Sequence, residues 1–200
     1  MNLPTQPSRV GFLLAGGKSS RMGVDKAFLE FRGQTLLERT LAAMSRVCPS
    51  VAIVGDPAQF SNYGAVVEDI YSGCGPLAGI HAALLHSSAE LNLTLAVDMP
   101  FVSEDLLSYL LSVAEKNTAI ATVPRTGKGL QPLCAVYRRE FATAAELALR
   151  AGKYKIDAVF TGLPIRIIKE EELEKAGFSE RNFFNINTSE DRRTAEDSFS

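Results

Sequence analysis

The segment at residues 14–26 has a composition suited to binding an anion. It reads LAGGKSSRMGVDK and combines glycines and hydroxyls with three cations, Lys18, Arg21 and Lys26. The apolar residues 10–14 before the loop are typical of a strand buried in a parallel sheet. Ligands of open α/β sheets bind at the carboxyl ends of the strands, where glycines let backbone N–H groups approach an anion closely. The segment therefore predicts a phosphate-binding loop.

Neither of two widespread nucleotide-binding motifs accounts for this loop. A P-loop that used Gly17 and Lys18 would need glycine at position 12, where the chain has Phe12. The dinucleotide pattern GxGxxG fails because Gly16, Gly17 and Gly23 have the wrong spacing. The dense set of glycines and cations still favours a polyphosphate site over the alternative, a flexible surface loop.

Polar residues follow apolar or extended segments at two further places. Asp98 comes at the end of the apolar run 93–97, where one carboxylate together with substrate phosphates would satisfy Mg²⁺. The alternative for Asp98 is a turn residue ahead of the Met-Pro pair that follows it. Asn185 and Asn187 are two positions apart, so they face the same way in an extended chain, and loop capping is their alternative role.

Alternating apolar segments predict the elements that position these residues. Besides 10–14, strands are expected at 51–54, 65–67, 93–97, 119–123, 133–137 and 163–168, and an extended stretch at 183–187. Helices are expected at 35–47, 76–85, 104–116, 140–150 and 170–176. Thr35 and Ser103 are suitable helix caps, and Pro76 suits a first turn. This alternation indicates an α/β fold with a single doubly wound, mostly parallel sheet and helices on both faces.

The composition limits the classes of partner. The chain has 200 residues, of which 46% are hydrophobic, enough for one domain with a substantial core. Its formal net charge of −2 gives no support to binding nucleic acid or an anionic membrane. The three cysteines lack metal-binding spacing, and the first ten residues lack the apolar core of a signal peptide. We therefore expect a cytoplasmic protein that binds neither nucleic acid nor membranes.

Five segments together resemble one enzyme family. Besides the first loop they are GPLAGI at 75–80, VDMPFV at 97–102, QPLCAVY at 131–137 and NINTSED at 185–191. In this order they are similar to the nucleotidyltransferases that activate sugars, alcohols and cofactors, and most closely to the molybdenum cofactor guanylyltransferases. The resemblance implies a Rossmann-like nucleotidyltransferase fold and the transfer of GMP from GTP to the phosphate of molybdopterin, with release of pyrophosphate. It also implies Mg²⁺ as cofactor and transient contact with proteins that handle the molybdenum cofactor.

The resemblance assigns roles to residues of this chain. The nucleotide-binding residues it implies are Leu14, Ala15, Gly16, Gly17, Lys26, Asp69 and Asp98. The amides of 15–17 are expected to hold the nucleotide. Asp69 is expected near the guanosine, although a one-residue shift would exchange it with Glu68. The catalytic residues it implies are Arg21, Lys26 and Asp98, with the two cations neutralising phosphate charge and Asp98 binding the metal. Asn185 and Asn187 are expected to reach the acceptor or the metal-phosphate region.

A single domain, 1–200, is expected to bind both substrates. The part up to about residue 100 would bind the nucleotide, and the remainder would bind the acceptor. The polar tail after about residue 191 is expected to fray, as chain ends commonly do.

Three alternative functions stay open at this point. Molybdopterin cytidylyltransferases are similar, but they usually have Leu-Ala-Ala-Gly in the first loop and lack GPLAGI, whereas this chain has Gly-Gly at 16–17. Terpenoid-pathway cytidylyltransferases and sugar nucleotidyltransferases commonly place proline directly before the lysine, where this chain has Asp25. A nucleotide-binding adaptor without turnover would not need Arg21, Lys26 and Asp98 together.

Overall fold

The fold has three layers, with one sheet between two layers of helices. The computed structural model describes residues 8–16 and 26–197. The strands are β1 Arg9–Leu14, β2 Glu30–Phe31, β3 Gln34–Thr35, β4 Val51–Val54, β5 Ala65–Val67, β6 Leu91–Ala96, β7 Ala121–Thr126, β8 Gly129–Leu130, β9 Cys134–Tyr137 and β10 Ile165–Ile168. The α-helices are α1 Leu36–Val47, α2 Pro57–Phe60, α3 Pro76–His86, α4 Glu104–Glu115, α5 Phe141–Arg150, α6 Ile156–Val159, α7 Glu170–Lys175 and α8 Ser189–Asp197. Short 3₁₀ helices cover Lys26–Phe28 and Glu180–Phe183.

The main sheet is mostly parallel, which confirms the predicted fold class. Its strand order is β10-β7-β9-β6-β1-β4-β5, and β8 pairs with β7. All neighbours in this order are parallel except β9, which is antiparallel to both β6 and β7. The connection from β7 to β9, residues 127–133, is too short for the crossover that a parallel strand requires. The β2-β3 hairpin and the short helices α2 and α6 were not predicted.

The register of the central strands brings three strand ends to one edge of the sheet. Leu14, the last residue of β1, is paired with Val54 of β4 and with Ala96 of β6. The chain winds outward from β1 through β4 to β5 and then returns through α3 to β6 on the other side of β1. The gap between β1 and β6 is therefore a topological switch point, where open α/β sheets form their ligand crevices.

Each face of the sheet is covered by its own helices. The core on one face is shared with α1, α4, α7 and α8, and the core on the other face is shared with α3, α5 and α6. Successive strand residues point to opposite faces, so Leu13 lies in the first core and Phe12 in the second. In the described part of the chain, no helix combines the length and the apolar character needed to span a bilayer.

The predicted helix starts are confirmed by their hydrogen bonds. At α1, Thr35 and Glu38 form a capping box, in which Glu38 N donates to Thr35 Oγ1 at 3.1 Å and Thr35 N donates to Glu38 Oε2 at 2.9 Å. At α4, Ser103 Oγ accepts from Leu106 N at 3.2 Å. Pro76 is the first residue of α3, as its fixed φ favours. Local sequence therefore determines where these three helices begin.

The prediction that the tail frays after about residue 191 was wrong for residues up to 197. Helix α8 continues to Asp197, and Ala195 is fully buried in the core that α1 and α4 share. Burial of this small side chain anchors a helix that is otherwise polar. The stretch predicted as extended, 183–187, begins instead at the end of the 3₁₀ helix Glu180–Phe183 and continues as irregular chain.

The three cysteines differ in burial, and this difference predicts their reactivity. Burial raises the pKa of Cys48 to about 11 and the pKa of Cys134 to about 12, whereas Cys74 is partly exposed. Because the thiolate is the reactive form, we expect iodoacetamide at neutral pH to alkylate only Cys74 in the native protein and all three thiols in denaturant. Mass spectrometry of the peptides measures this. Native alkylation of Cys134 at the rate of Cys74 would contradict the structure of this core.

Candidate active site

A cleft of about 210 Å³ lies where the carboxyl ends of β1, β4 and β6 meet. Its lining combines strand ends with residues from the loops and from the start of α3. The lining residues are Leu14, Ala15, Gly16, Lys26, Val54, Asp69, Gly75, Pro76, Gly79, Ala96, Val97, Asp98 and Leu133. Six of the seven predicted nucleotide-binding residues are among them: Leu14, Ala15, Gly16, Lys26, Asp69 and Asp98. Gly17 and Arg21 lie outside the described residues.

Asp98 follows β6 and has its two carboxylate oxygens in different surroundings. Oδ2 lies 3.6 Å from Nζ of Lys26. Oδ1 is buried and has no hydrogen-bond partner among the described residues. Burial raises the pKa of Asp98 above its ordinary value, and the charge of Lys26 opposes this shift. One oxygen of Asp98 is therefore paired with a cation, and the other is a hydrogen-bond acceptor without a donor among the described residues.

Lys26 connects the first loop to the C-terminal part of the chain. Its Nζ donates to Oδ1 of Asn187 at 2.6 Å, across 161 positions of sequence. Its side chain is one quarter exposed, at 25%. On the neighbouring backbone, Ile186 N donates to the carbonyl oxygen of Asp98 at 2.9 Å. The predicted residues Lys26, Asp98 and Asn187 are thus brought together by three separate segments.

Two unpartnered acceptor oxygens, one on Asp98 and one on the segment that bonds to the Asp98 backbone, suit a hard cation. Asn185 adjoins Ile186, and its Oδ1 is buried without a hydrogen-bond partner in the described part of the chain, like Oδ1 of Asp98. Within residues 8–16 and 26–197, no three His, Cys, Asp or Glu side chains converge as a metal cage. One carboxylate and one amide oxygen fit Mg²⁺, which binds few protein oxygens and completes its shell with water and phosphate. Asp98 and Asn185 are therefore the residues that would hold it.

Asp69, and not Glu68, faces the cleft. Glu68 is exposed, whereas Asp69 lines the cleft and is partly buried. Burial raises the pKa of Asp69, and its Oδ1 has no hydrogen-bond partner among the residues described. An unpaired, buried acceptor of this kind costs free energy unless a ligand donates to it. The cleft thus presents a second unsatisfied carboxylate, separate from Asp98.

The backbone of the first loop departs from the sequence prediction. The N–H groups of Ala15 and Gly16 both donate to the carbonyl oxygen of Val54, each at 3.0 Å. The expectation that these two amides hold the nucleotide is therefore not met, because the neighbouring strand already accepts their hydrogen bonds. Both residues still line the cleft.

The start of α3 adds positive partial charge to the cleft. Gly75 precedes the helix with a φ of 74°, a left-handed conformation that favours glycine, and no side chain caps the helix. Gly75 and Pro76 both line the cleft, so the amino end of this 11-residue helix lies beside it. A helix N-terminus attracts anions through its free N–H groups and its dipole.

Several walls of the cleft were missed by sequence reasoning. Val54 and Ala96 are the last residues of β4 and β6, so a rule that takes every parallel strand end as a candidate would have found them. Leu133 reaches the cleft from the loop before β9, and although it belongs to the segment QPLCAVY at 131–137, the resemblance assigned it no role in the site. These side chains supply apolar surface to the cleft.

Known proteins are similar to this chain over most of its length. The MobA-like NTP transferase domain matches residues 11–165. A probable molybdenum cofactor guanylyltransferase of Pelotomaculum thermopropionicum is 38% identical and covers 90% of this chain and 88% of its own. The molybdenum cofactor guanylyltransferase of Desulfosudis oleivorans is 34% identical and covers 93% of each chain.

A solved structure with the same fold extends this comparison. The crystal structure of molybdopterin-guanine dinucleotide biosynthesis protein A from Archaeoglobus fulgidus superposes with a TM-score of 0.83 at 32% identity, covering 95% of this chain and 97% of that chain. Sequence and fold therefore agree over nearly the whole length. The chain belongs to the MobA-like NTP transferase family.

Proposed function

We propose that this protein transfers GMP from GTP to the phosphate of molybdopterin and releases pyrophosphate. The observation that carries the proposal is the meeting of Asp98, Lys26 and Asn187 beside a cleft that Asp69 also lines. A site that only bound a nucleotide would not need a cation-binding carboxylate and an ammonium held next to each other. The names of the relatives, which are molybdenum cofactor guanylyltransferases, support the same activity.

The carboxylate of Asp69 supports guanine as the base. Its Oδ1 is a buried acceptor with no hydrogen-bond partner in the described chain. Guanine presents two neighbouring donors, N1–H and the N2 amino group, whereas cytosine and adenine each present a single amino donor on the pairing edge. A carboxylate accepts such a pair through its two oxygens. Asp69 therefore favours GTP over CTP and ATP.

Two glycines leave space for the base in this cleft. A Cβ on Gly16 would approach no described atom outside its chain neighbours closer than 3.6 Å, so packing against the described residues does not require glycine there. A Cβ on Gly79 would lie 3.3 Å from Val54 and 3.4 Å from Oδ1 of Asp69, and would narrow the cleft between them. A flat purine that occupies this space accounts for both glycines.

The proposed reaction is an in-line displacement at the α-phosphorus of GTP. An oxygen of the acceptor phosphate forms a bond to this phosphorus while the bond to the bridging oxygen breaks, and pyrophosphate leaves with the electron pair. In the transition state negative charge is spread over the equatorial and leaving oxygens. Well-placed positive charge that stabilises this state therefore contributes most of the rate enhancement. The mechanism needs no covalent intermediate on the enzyme.

The described residues divide this work between them. Asp98 and Asn185 would hold Mg²⁺, whose charge stabilises the developing charge on the phosphates. Lys26 would direct its ammonium at the same phosphates, and Asn187 holds that ammonium at 2.6 Å in advance. We propose Arg21 as a second side-chain cation and residues 14–17 as part of the nucleotide site.

We assign the acceptor to the part of the chain after about residue 100, within a single domain. This part contributes β7, β9 and β10, which lie on the side of β6 away from β1. Transient contact with proteins that handle the molybdenum cofactor belongs to the same proposal. A cytoplasmic location does too, and the three unpaired thiols support it, since disulfides are rare in reducing compartments.

Product formation tests the function directly. The purified protein is incubated with Mg²⁺, a molybdopterin-loaded extract and GTP, CTP or ATP, and both pyrophosphate and the dinucleotide are measured. Equal release of both products with GTP supports the proposal. GTP binding without release would instead indicate a nucleotide-binding adaptor, and preference for CTP would indicate a cytidylyltransferase.

Asp69→Asn is expected to weaken GTP binding by about 2 kcal/mol, roughly thirtyfold, because the amide cannot accept both guanine donors. CTP binding should change little, since cytosine does not offer this pair of donors. Calorimetric titration of wild type and variant with each nucleotide measures the difference. Glu68→Gln, at the exposed neighbouring position, serves as the control. Equal losses of affinity for GTP and CTP would show that Asp69 does not contribute to recognition of the base.

A further inference from the structure

The N-terminus of α8 is capped by Thr188 and Asp191, and the side chain of each accepts a hydrogen bond from the backbone N–H of the other. Asp191 N donates to Oγ1 of Thr188 at 3.0 Å, and Thr188 N donates to Oδ2 of Asp191 at 2.8 Å. This reciprocal pair has the form of a capping box, with Asp191 in the place usually taken by Glu or Gln. The cap explains why a polar segment after Asn187 turns into a helix.

Asp191 makes one bond more than a cap requires. The same Oδ2 accepts the N–H of Asn187 at 2.9 Å, and Asn187 lies before the helix. The side chain of Asn187 holds Nζ of Lys26 at 2.6 Å. A carboxylate in the first turn of α8 is therefore two hydrogen bonds away from the ammonium beside Asp98.

The electrostatic surroundings keep Asp191 in its acceptor form. Burial acts to raise its pKa, but the N–H groups of Asn187 and Thr188 and the charge of Lys26 outweigh burial and lower the pKa below the ordinary value. An ionised carboxylate accepts hydrogen bonds more strongly than a neutral group does. The bonds from Asn187 and Thr188 are therefore maintained at neutral pH.

We propose that Asp191 is a positioning residue for Lys26, acting through Asn187. By fixing the backbone of Asn187, it directs Oδ1 of that side chain at Nζ of Lys26 and so holds the ammonium 3.6 Å from Oδ2 of Asp98. Asp191 touches neither substrate nor metal in this scheme. The effect on turnover rests on the proposed nucleotidyl transfer, whereas the effect on Lys26 does not.

The first test follows Lys26 in the protein without nucleotide. Lysines are acetylated for short times, and the modification at Lys26 is measured by mass spectrometry for wild type, Asp191→Ala, Asp191→Asn and the control Glu190→Gln. Glu190 is a neighbouring, exposed carboxylate of the same turn. We expect Asp191→Ala to raise the acetylation rate of Lys26 severalfold relative to exposed lysines, Asp191→Asn to raise it less, and Glu190→Gln to leave it unchanged. An unchanged rate in Asp191→Ala would overturn the proposal.

The second test separates positioning from folding by steady-state kinetics. Asp191→Ala is expected to lower kcat roughly tenfold to a hundredfold, as misplacing a catalytic group does, while KM for GTP changes much less. Asp191→Asn should recover part of kcat, because its amide oxygen still accepts. In a Lys26→Met background, Asp191→Ala should cause little further loss, since the two residues act through one contact. Fully additive losses, or an unchanged kcat in Asp191→Ala, would overturn the proposal.

The two tests distinguish this proposal from the proposed function. A wild-type protein that transfers no GMP would refute the function, and the acetylation of Lys26 would still decide whether Asp191 positions it. An active wild type in which Asp191→Ala loses kcat without any change at Lys26 would refute the positioning role alone.

Discussion

Asp98→Asn is expected to lower kcat by about 10³-fold at saturating GTP and acceptor. The substitution keeps the shape of the side chain but removes the charge that would hold Mg²⁺ in the cleft. A bound cation stabilises transition-state charge by several kcal/mol, and each 1.4 kcal/mol or so corresponds to a factor of ten in rate. The loss should appear mainly in kcat, because negative charge builds up on the leaving oxygen in the transition state.

The fold of this variant should be at least as stable as the wild type without metal. Burial raises the pKa of Asp98, with Lys26 opposing the shift. A carboxyl whose folded-state pKa is raised stabilises the fold in its protonated form, and this contribution is lost as the pH rises through the folded-state value. At neutral pH the charged form therefore carries a cost, which a neutral asparagine removes.

Kinetics combined with thermal unfolding checks both parts of this prediction. Mg²⁺ should raise the Tm of the wild type by mass action and leave the Tm of Asp98→Asn unchanged. Asp105→Asn, at an exposed position in the first turn of α4, should behave as wild type in both measurements. Near-normal kcat in Asp98→Asn at saturating Mg²⁺ would exclude Asp98 as the cation ligand.

Strands and helices around the cleft were predictable because each is a local pattern. The apolar run 51–54 coincides with β4 Val51–Val54, and Thr35 caps α1 as its hydroxyl and the following Glu38 indicate. Asp98 was predictable in the same way, since it is the polar residue that ends a buried strand. Such features need only neighbouring residues to be recognised.

Contacts between distant segments were not predictable from these patterns. The bond from Lys26 to Asn187 joins residues 161 positions apart, and no periodicity contains it. The hydrogen bonds from Ala15 and Gly16 to Val54 depend on the register of β1 against β4. This register cannot be predicted from either strand's sequence alone. Both contacts arise only when the sheet brings separate strand ends together.

The C-terminal helix shows how tertiary packing overrides composition. Residues 189–197 are strongly polar, and composition alone predicts fraying. The cap made by Thr188 and Asp191 starts the helix, and the fully buried Ala195 attaches it to the core. Because the cap also holds Asn187, the part of the chain predicted to be least ordered supports the residue that contacts Lys26.

Lys26→Met is expected to lower kcat by about 10²-fold, the loss typical of removing one group that stabilises transition-state charge. Methionine keeps the length of the side chain without the ammonium, and Lys116→Met, at an exposed position, controls for loss of surface charge. Steady-state kinetics over a range of Mg²⁺ concentrations measures the effect. Both kcat and its dependence on Mg²⁺ concentration are measured, because Lys26 lies beside Asp98, the proposed metal ligand, and its loss could act through the metal.

Varying the pH in this experiment distinguishes two roles of Lys26, helping Asp98 to bind Mg²⁺ and acting directly on the phosphates. Its charge opposes the burial that raises the pKa of Asp98, so removing it lets that pKa rise further and makes Asp98 easier to protonate. A variant that only lost help in binding Mg²⁺ would therefore recover at saturating Mg²⁺ and raised pH, which both favour the ionised, metal-bound form of Asp98. A variant that lost an ammonium acting on the phosphates would remain slow under the same conditions, which is the result we expect. Full recovery would limit Lys26 to recruiting the metal and would leave the phosphates to be neutralised by other cations.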